Sequence, residues 1–246
     1  MENGILGTDT PILYELKWDT DYFGIKCGKV ILSEPIKKCE LDNLKIEFKE
    51  YEFISIENRN SEPVNSQLIG QHTNSFLADV NVQFEKQVEP NNDIGRSVEI
   101  FQSLEPIEKI IDIASFEISK FIEDKELLKR GGDKVYKQWV INSFRNNDKY
   151  FAISKNENNE INGFLLYSYS NNNCIIELIA VEKNITSKGV GTYLFKAVEK
   201  SAYEMGCNKI KVGTQVRNQK AINFYHKMGC KQIGCHQVFH LWNLYS

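Results

Sequence analysis

Histidine is rare in this chain, at 4 of 246 residues, and proline is nearly as scarce, at 5. The six cysteines (Cys27, Cys39, Cys174, Cys207, Cys230, Cys235) are scattered and form no Cys-x-x-Cys pair. With so few histidines no zinc framework can be read, and no metal is expected. Reduced thiols in a reducing compartment are the simplest reading. The sequence has no apolar run near 18 residues and no signal-peptide pattern, so the expectation is a soluble cytoplasmic protein without a membrane partner. Neither sign of charge dominates: 30 basic and 33 acidic residues leave a net charge of −3. That balance argues against a broad nucleic-acid footprint. The mixed run from Lys125 to Arg130 reads instead as a solvated helix face.

What remains is an ordinary globular composition, 41% hydrophobic and 26% charged. The length suits one large domain or two small ones. The clearest linker is Glu89-Pro90-Asn91-Asn92-Asp93-Ile94-Gly95, which places a boundary between residues 1–92 and 93–246. In the first part, strands are expected at Ile25–Leu32, Phe53–Ile56 and Phe76–Phe84, with a short helix over Leu41–Lys49. In the second, a strand at Val98–Phe101 precedes helices over Pro106–Ser115 and Lys134–Arg145. Strands then follow at Phe151–Ser154, Ile161–Ser170 and Cys174–Val181, and a last one at Gln237–Trp242. A meander interrupted by crossover helices predicts a mixed α/β sheet.

One stretch carries more chemistry than the rest. Ile179-Ala180-Val181 ends a strand, and Gly189-Val190-Gly191-Thr192 opens a helix across a short turn. Free backbone N–H groups at such a helix start suit a pyrophosphate, and glycines let the ligand approach the backbone closely. The apolar positions that follow, Val190, Leu194, Ala197, Val198, Ala202 and Met205, have helical spacing and need only a sheet to pack on. No Gly-x-x-x-x-Gly-Lys-Ser/Thr is present, and the first glycine of a Rossmann turn is missing. Downstream, the strand Lys209–Gln215 leads into Asn218-x-x-Ala221-x-x-x-Tyr225-x-x-x-Gly229.

Together these elements resemble the acetyl-coenzyme A core of the GNAT N-acetyltransferase superfamily. Its pattern is a Gln/Arg-x-x-Gly-x-Gly/Ala loop followed by Asn-x-x-Ala-x-x-x-Tyr-x-x-x-Gly. Thr186 departs from the usual Gln or Arg, while Gly189 and Gly191 keep the register. Trp18-Asp19-Thr20-Asp21-Tyr22-Phe23-Gly24, Ser119-Lys120-Phe121, Tyr136-Lys137-Gln138-Trp139 and Gly213–Asn218 are also similar to the branch of that superfamily acting on dTDP-fucosamine. The resemblance implies a GNAT domain preceded by a smaller, degenerate GNAT-like part, and residues 1–90 indeed hold no Gly-x-Gly loop before a helix.

It further implies acetyl-CoA as acetyl donor and a nucleotide-linked amino sugar as acceptor, such as a dTDP-4-amino-4,6-dideoxyhexose. The cofactor would lie against Leu178, Ile179, Ala180, Val181, Thr186, Ser187, Lys188, Gly189, Val190, Gly191, Thr192, Asn218 and Phe224. Tyr225 would be the general acid toward the departing thiolate, although it shares a helix face with Ala221, Phe224 and Met228 and also reads as core. Glu177, a carboxylate among apolar neighbours, is the candidate base; its alternative is a solvent-facing side chain. Trp18, Tyr22, Phe23, Phe121, Tyr136 and Trp139 would offer ring faces to the acceptor, with Lys120 or Arg130 available to a diphosphate. A homodimer follows only by analogy with such folds. The rival readings are a GNAT enzyme for another small amine or a protein N-terminus, and a binding module that keeps acetyl-CoA without turnover.

Overall fold

The computed structural model describes residues 11–90, 98–183 and 189–243. Its elements run β1 (Leu13–Glu15), α1 (Lys17–Phe23), β2 (Cys27–Leu32), α2 (Lys38–Phe48), β3 (Phe53–Asn58), α3 (Pro63–His72), β4 (Phe76–Gln87) and β5 (Val98–Gln102). After these come α4 (Glu108–Ile113), the short α5 (Lys120–Glu123) and α6 (Lys125–Lys129), α7 (Val135–Ser143), β6 (Tyr150–Lys155), β7 (Ile161–Ser170) and β8 (Asn173–Val181). The chain ends with α8 (Val190–Glu204), β9 (Lys209–Gln215), α9 (Gln219–Lys227) and β10 (Lys231–Trp242).

These form two compact units that are not consecutive in the chain. The first takes the residues up to Val82, then Ser119–Gly131, and those from Gly234 onward. The second takes Gln83–Ile118 and Gly132–Ile233. A single cut at residue 92, which itself lies outside the described residues, does not separate them. The reason is pairing: β10 runs antiparallel to β3 from Gln237↔Asn58 to Trp242↔Phe53, and Asp124 is hydrogen-bonded to His240. Both contacts return late segments to the first unit.

In that unit β1 is antiparallel to β2, and β2 is parallel to β3 with α2 as the crossover. Strand side chains alternate between faces. Val30, Leu32, Ile54, Ile56, Phe239 and Leu241 therefore share one face, where Leu41, Leu44 and Phe48 of α2 and Ile69 of α3 close the core. Helices α1 and α3 were not anticipated. Helix α1 has only seven residues and no side-chain cap, so it sends little signal. Helix α3 does carry one, Pro63 at its start with Glu62 accepting from the Val64 N–H, but Gly70 interrupts its periodicity.

The second unit follows the expected meander. Strands β5, β6, β7 and β8 pair antiparallel in sequence, and α8 crosses over to place β9 parallel to β8. Ile110 of α4 and Val140 of α7 pack with Phe151, Phe164, Leu166 and Leu178 on one face. On α8, Val190, Leu194, Ala197, Val198 and Ala202 are buried as the spacing predicts, and Phe195 and Glu199 are buried beside them. Met205 is the exception: the helix stops at Glu204 and Met205 is exposed. Among the described residues no helix is long and apolar enough to cross a membrane.

The seating of α8 on the sheet depends on Gly163 of β7. A Cβ there would lie 2.9 Å from Val190 Cγ1, 3.2 Å from the Ala180 carbonyl oxygen and 3.3 Å from Leu194 Cδ1. The backbone of β8 cannot yield as a side chain would. Gly163→Ala is expected to cost about 1–3 kcal/mol, the usual range for overpacking. A denaturant melt within ~0.5 kcal/mol of the unaltered protein would contradict this close fit.

Candidate active site

Strands β8 and β9 define the site by parting. Their parallel pairing runs from Asn173↔Lys209 to Ile176↔Val212, although β8 continues to Val181 and β9 to Gln215. The separation begins at a bulge. Leu166 of β7 pairs with Leu178 and Tyr167 pairs with Ile176, which leaves Glu177 as the extra residue. Two consecutive residues then face the same side. Leu178 enters the cluster with Phe164 and Leu166, and Glu177 meets Trp139 of α7.

Glu177 is therefore neither lone nor solvent-facing. Its side chain is only 8% exposed and forms an ion pair with Lys149. Oε1 also accepts from Ser168 Oγ at 2.6 Å, and Oε2 accepts from Trp139 Nε1 at 3.2 Å. A carboxylate has about four lone-pair positions. Three are taken, which leaves one on Oε2. Around this group Phe116 packs on Tyr136, with centroids 4.7 Å apart, and Tyr136 stacks at 6.3 Å on Trp139. Gln215, the last residue of β9, donates from Nε2 to Tyr136 Oη at 3.3 Å. The far end of β8 borders a cleft of about 500 Å³, lined by Ile179, Ala180 and Val181 together with Ile113 and Phe116.

Gly189 caps α8 with φ of 76°, a left-handed conformation that side chains disfavour. The first intrahelical bond runs from the Tyr193 N–H to the Gly189 carbonyl, so the amides of the preceding helical turn have no partner within the helix. Thr186, Ser187 and Lys188 lie outside the described residues. Gly191 has a second reason to be glycine besides ligand approach: a Cβ there would meet the Phe224 ring at 3.3 Å. Phe224 thus sits against the start of α8. Asn218 caps α9, its Oδ1 accepting from the Ala221 N–H at 3.1 Å.

Tyr225 is 3% exposed, with its ring 5.6 Å from Phe84 and 5.4 Å from Phe224. Its hydroxyl makes no hydrogen bond among the described residues. Burial, helped by the neighbouring Cys230 thiol, pushes the phenol well above its ordinary pKa. It stays protonated at any working pH and so has its O–H to donate. Of the aromatic residues expected around an acceptor, Tyr136 and Trp139 belong to this unit. Trp18, Tyr22, Phe23, Lys120 and Phe121 belong to the first unit, where Trp18 and Tyr22 stack at 4.9 Å and Tyr22 donates to the Gly131 carbonyl. The sequence reading missed Lys149, Ser168 and Gln215. Nothing in their spacing marks them, because each acts only through the bulge or the end of β9. Among the described residues no group of His, Cys, Asp or Glu is placed to hold a metal ion.

Residues 110–230 match the model of the acetyltransferase (GNAT) family. Among curated proteins, the chain is 24% identical over 137 residues to the spore coat polysaccharide biosynthesis protein SpsD of Bacillus subtilis (strain 168). That match covers 55% of this chain and 47% of SpsD. It is also 39% identical over 82 residues to the uncharacterized protein YdhI of the same organism, covering 33% of this chain and 49% of YdhI. The chain thus spans about half the length of the curated relatives it matches. Among solved structures it is similar to a functionally unknown protein from Staphylococcus epidermidis, with TM-score 0.68 at 13% identity, covering 98% of this chain and 94% of that one. A GCN5-related N-acetyltransferase from Sphaerobacter thermophilus gives 0.63 at 11% identity, covering 95% and 76%. A tandem GNAT protein from the clavulanic acid biosynthesis pathway gives 0.61 at 9%, covering 90% and 79%. At these identities the likeness is one of fold.

The ion pair at the bulge makes its own demand. Lys149→Met leaves the Glu177 charge with two neutral donors in a nearly sealed place. A loss of about 1–3 kcal/mol is expected, as for a buried group deprived of its partner. Adding Glu177→Gln to that variant should restore part of the loss, and a double variant no more stable than Lys149→Met would count against the pairing.

Proposed function

We propose that this chain is an acetyl-CoA-dependent N-acetyltransferase, with the reacting centre where β8 and β9 part. The observation that carries the reading is the bulge at Glu177 followed by an unpaired strand edge that leads to the Gly189-capped start of α8. An extended pantetheine arm has amides that can pair with the open edge of Ile179–Val181. The partial positive charge of the α8 N-terminus favours a diphosphate at the other end. The cofactor contacts proposed are Leu178–Val181, Thr186–Thr192, Asn218 and Phe224.

In the reaction the acceptor amine attacks the thioester carbonyl carbon, a C–N bond forms, and the C–S bond breaks. The amine must lose one proton and the thiolate must gain one. We assign the first to Glu177, whose remaining Oε2 position accepts the proton directly or through a water. Lys149 and Ser168 hold the carboxylate in place. We assign the second to Tyr225. An ordinary phenol near ~10 against a thiol near ~8.5 already makes complete transfer uphill by roughly 2 kcal/mol. Burial of Tyr225 raises that cost. Its contribution is accordingly a hydrogen bond that strengthens as charge builds on sulfur, with the proton following C–S cleavage rather than preceding it.

For the acceptor, we favour a nucleotide-linked amino-dideoxy sugar, with Tyr136 and Trp139 of the second unit lending ring faces. Support comes from the likeness to SpsD, a polysaccharide biosynthesis protein, and from the sequence patches near Trp18 and Tyr136. In this reading the first unit is a GNAT-like module without a cofactor loop.

Coenzyme release measured with dTDP-linked amino sugars tests the whole. Tyr225→Phe should lower turnover at least ~10²-fold with cofactor affinity little changed, and near-normal turnover would remove Tyr225 from the mechanism. Glu177→Gln should abolish the limb of the pH–rate profile that reports the base. An unchanged profile would exclude it.

A further inference from the structure

The Tyr225 hydroxyl has no hydrogen-bond partner among the described residues, so nothing polar fixes where it points. Packing alone must do so. Phe224 precedes it on the same helix and cannot set its place against other elements. Phe84 of β4 can: its ring lies 5.6 Å from that of Tyr225 and 5.2 Å from that of His226. The direction of the phenol therefore depends on where the last residues of β4 are held.

Three contacts hold them, all within the second unit. Glu85 pairs with Lys209 at 2.8 Å, and the Val88 N–H donates to the Asn208 carbonyl at 3.0 Å. Alternation turns Phe84 and Lys86 to the face opposite Glu85, and there Lys86 Nζ reaches Glu199 of α8 at 2.5 Å. Glu199 is the one acid among the buried residues of α8. It is 3% exposed, and no hydrogen bond from a described residue reaches its Oε1, so the Lys86 charge is what steadies that oxygen. The same ammonium lies 5.8 Å from the centre of the Phe195 ring. The Lys86 stem passes beside the turn that ends α9, where a Cβ at Gly229 would lie 3.7 Å from Lys86 Cε. Gly229 is left-handed, with φ of 82°, and Cys230 after it donates its N–H to the carbonyl of Tyr225 itself at 3.0 Å. Lys86 thus touches α8 and the closing turn of α9, while Phe84, two residues earlier, touches the Tyr225 ring.

A buried ion pair is a weak source of stability, since desolvation offsets much of its attraction and apolar side chains of like volume often do as well. What such a pair can supply is register, because sliding either element parts the charges. We propose that the Lys86–Glu199 pair positions Tyr225: it pins the end of β4 to α8, and Phe84 then holds the phenol toward the coenzyme sulfur. Both charged residues act through Phe84 rather than on the reacting atoms. The inference rests on the assignment of Tyr225 to the departing thiolate.

The test removes both charges at once, with Lys86→Met and Glu199→Leu in one full-length chain, so that no unpaired charge is left inside. This double variant should melt no lower than the unaltered protein and should bind coenzyme A within ~3-fold of it. In the unaltered chain the ¹³C resonance of Tyr225 Cζ should move differently for coenzyme A and for desulfo-coenzyme A, which lacks the sulfur. In the double variant that difference should vanish. Turnover with acetyl-CoA and dTDP-linked amino sugars should fall at least ~10-fold through misplacement of the phenol. The same two changes should cost nothing further in a chain that already carries Tyr225→Phe. No difference between the two coenzymes in the unaltered chain would sink the Tyr225 assignment and this inference with it. A difference that survives in the double variant, turnover as fast as before, a lower melting temperature, weakened coenzyme binding, or a loss that adds in full to that of Tyr225→Phe would each overturn this inference alone.

Discussion

Backbone hydrogen bonding sets the terms for the second unit. Once β8 and β9 part after Ile176 and Val212, each is left with an edge of N–H and C=O groups that the sheet does not satisfy. A folded chain does not leave such an edge open without cause. The bulge at Glu177 makes the separation, because one extra residue bends β8 and increases its local twist. Everything else around the site is arranged about that opening. Gly163 lets α8 sit close enough for its first turn to stand at the end of the opened edge, and Phe224 packs where Gly191 leaves room. Tyr136 and Gln215 meet where β9 ends.

Two polar centres, one in each unit, deal with buried charge in different ways. At the bulge, Glu177 is held by a cation and two neutral donors, so its direction is set. In the first unit, Asp124 is held without a cation, by two backbone N–H groups, the Trp242 indole and the His240 imidazole. A saturated network positions its members.

Much of this was legible in the sequence, and the limits have physical causes. The meander, the α8 face and the Asn218 cap came from local periodicity and capping chemistry, which act within a few residues. Gly189 was recognisable as a helix-start glycine. The Gly191–Phe224 contact was not, because it joins residues 33 positions apart through packing alone. The bulge was likewise hidden: Ile175-Ile176-Glu177-Leu178-Ile179 reads as an unbroken strand, and only the pairing with β7 exposes the extra residue. The same blindness applied to Lys149 and Ser168, whose meaning comes from Glu177. A boundary drawn at the Pro90 linker missed the return of Ser119–Gly131 and β10 to the first unit, since long-range strand pairing leaves no mark in composition.

The central claim is that the open edge of β8 receives the coenzyme's pantetheine arm as if it were another strand. Amide hydrogen exchange at Ile179, Ala180 and Val181, followed with and without coenzyme A, tests it most directly. The account predicts slowed exchange for edge-facing amides of this stretch when coenzyme A is bound, while the amides of Cys174–Ile176, already in the paired part of the strand, change little. Coenzyme A binding that leaves the exchange of residues 179–181 untouched would contradict it.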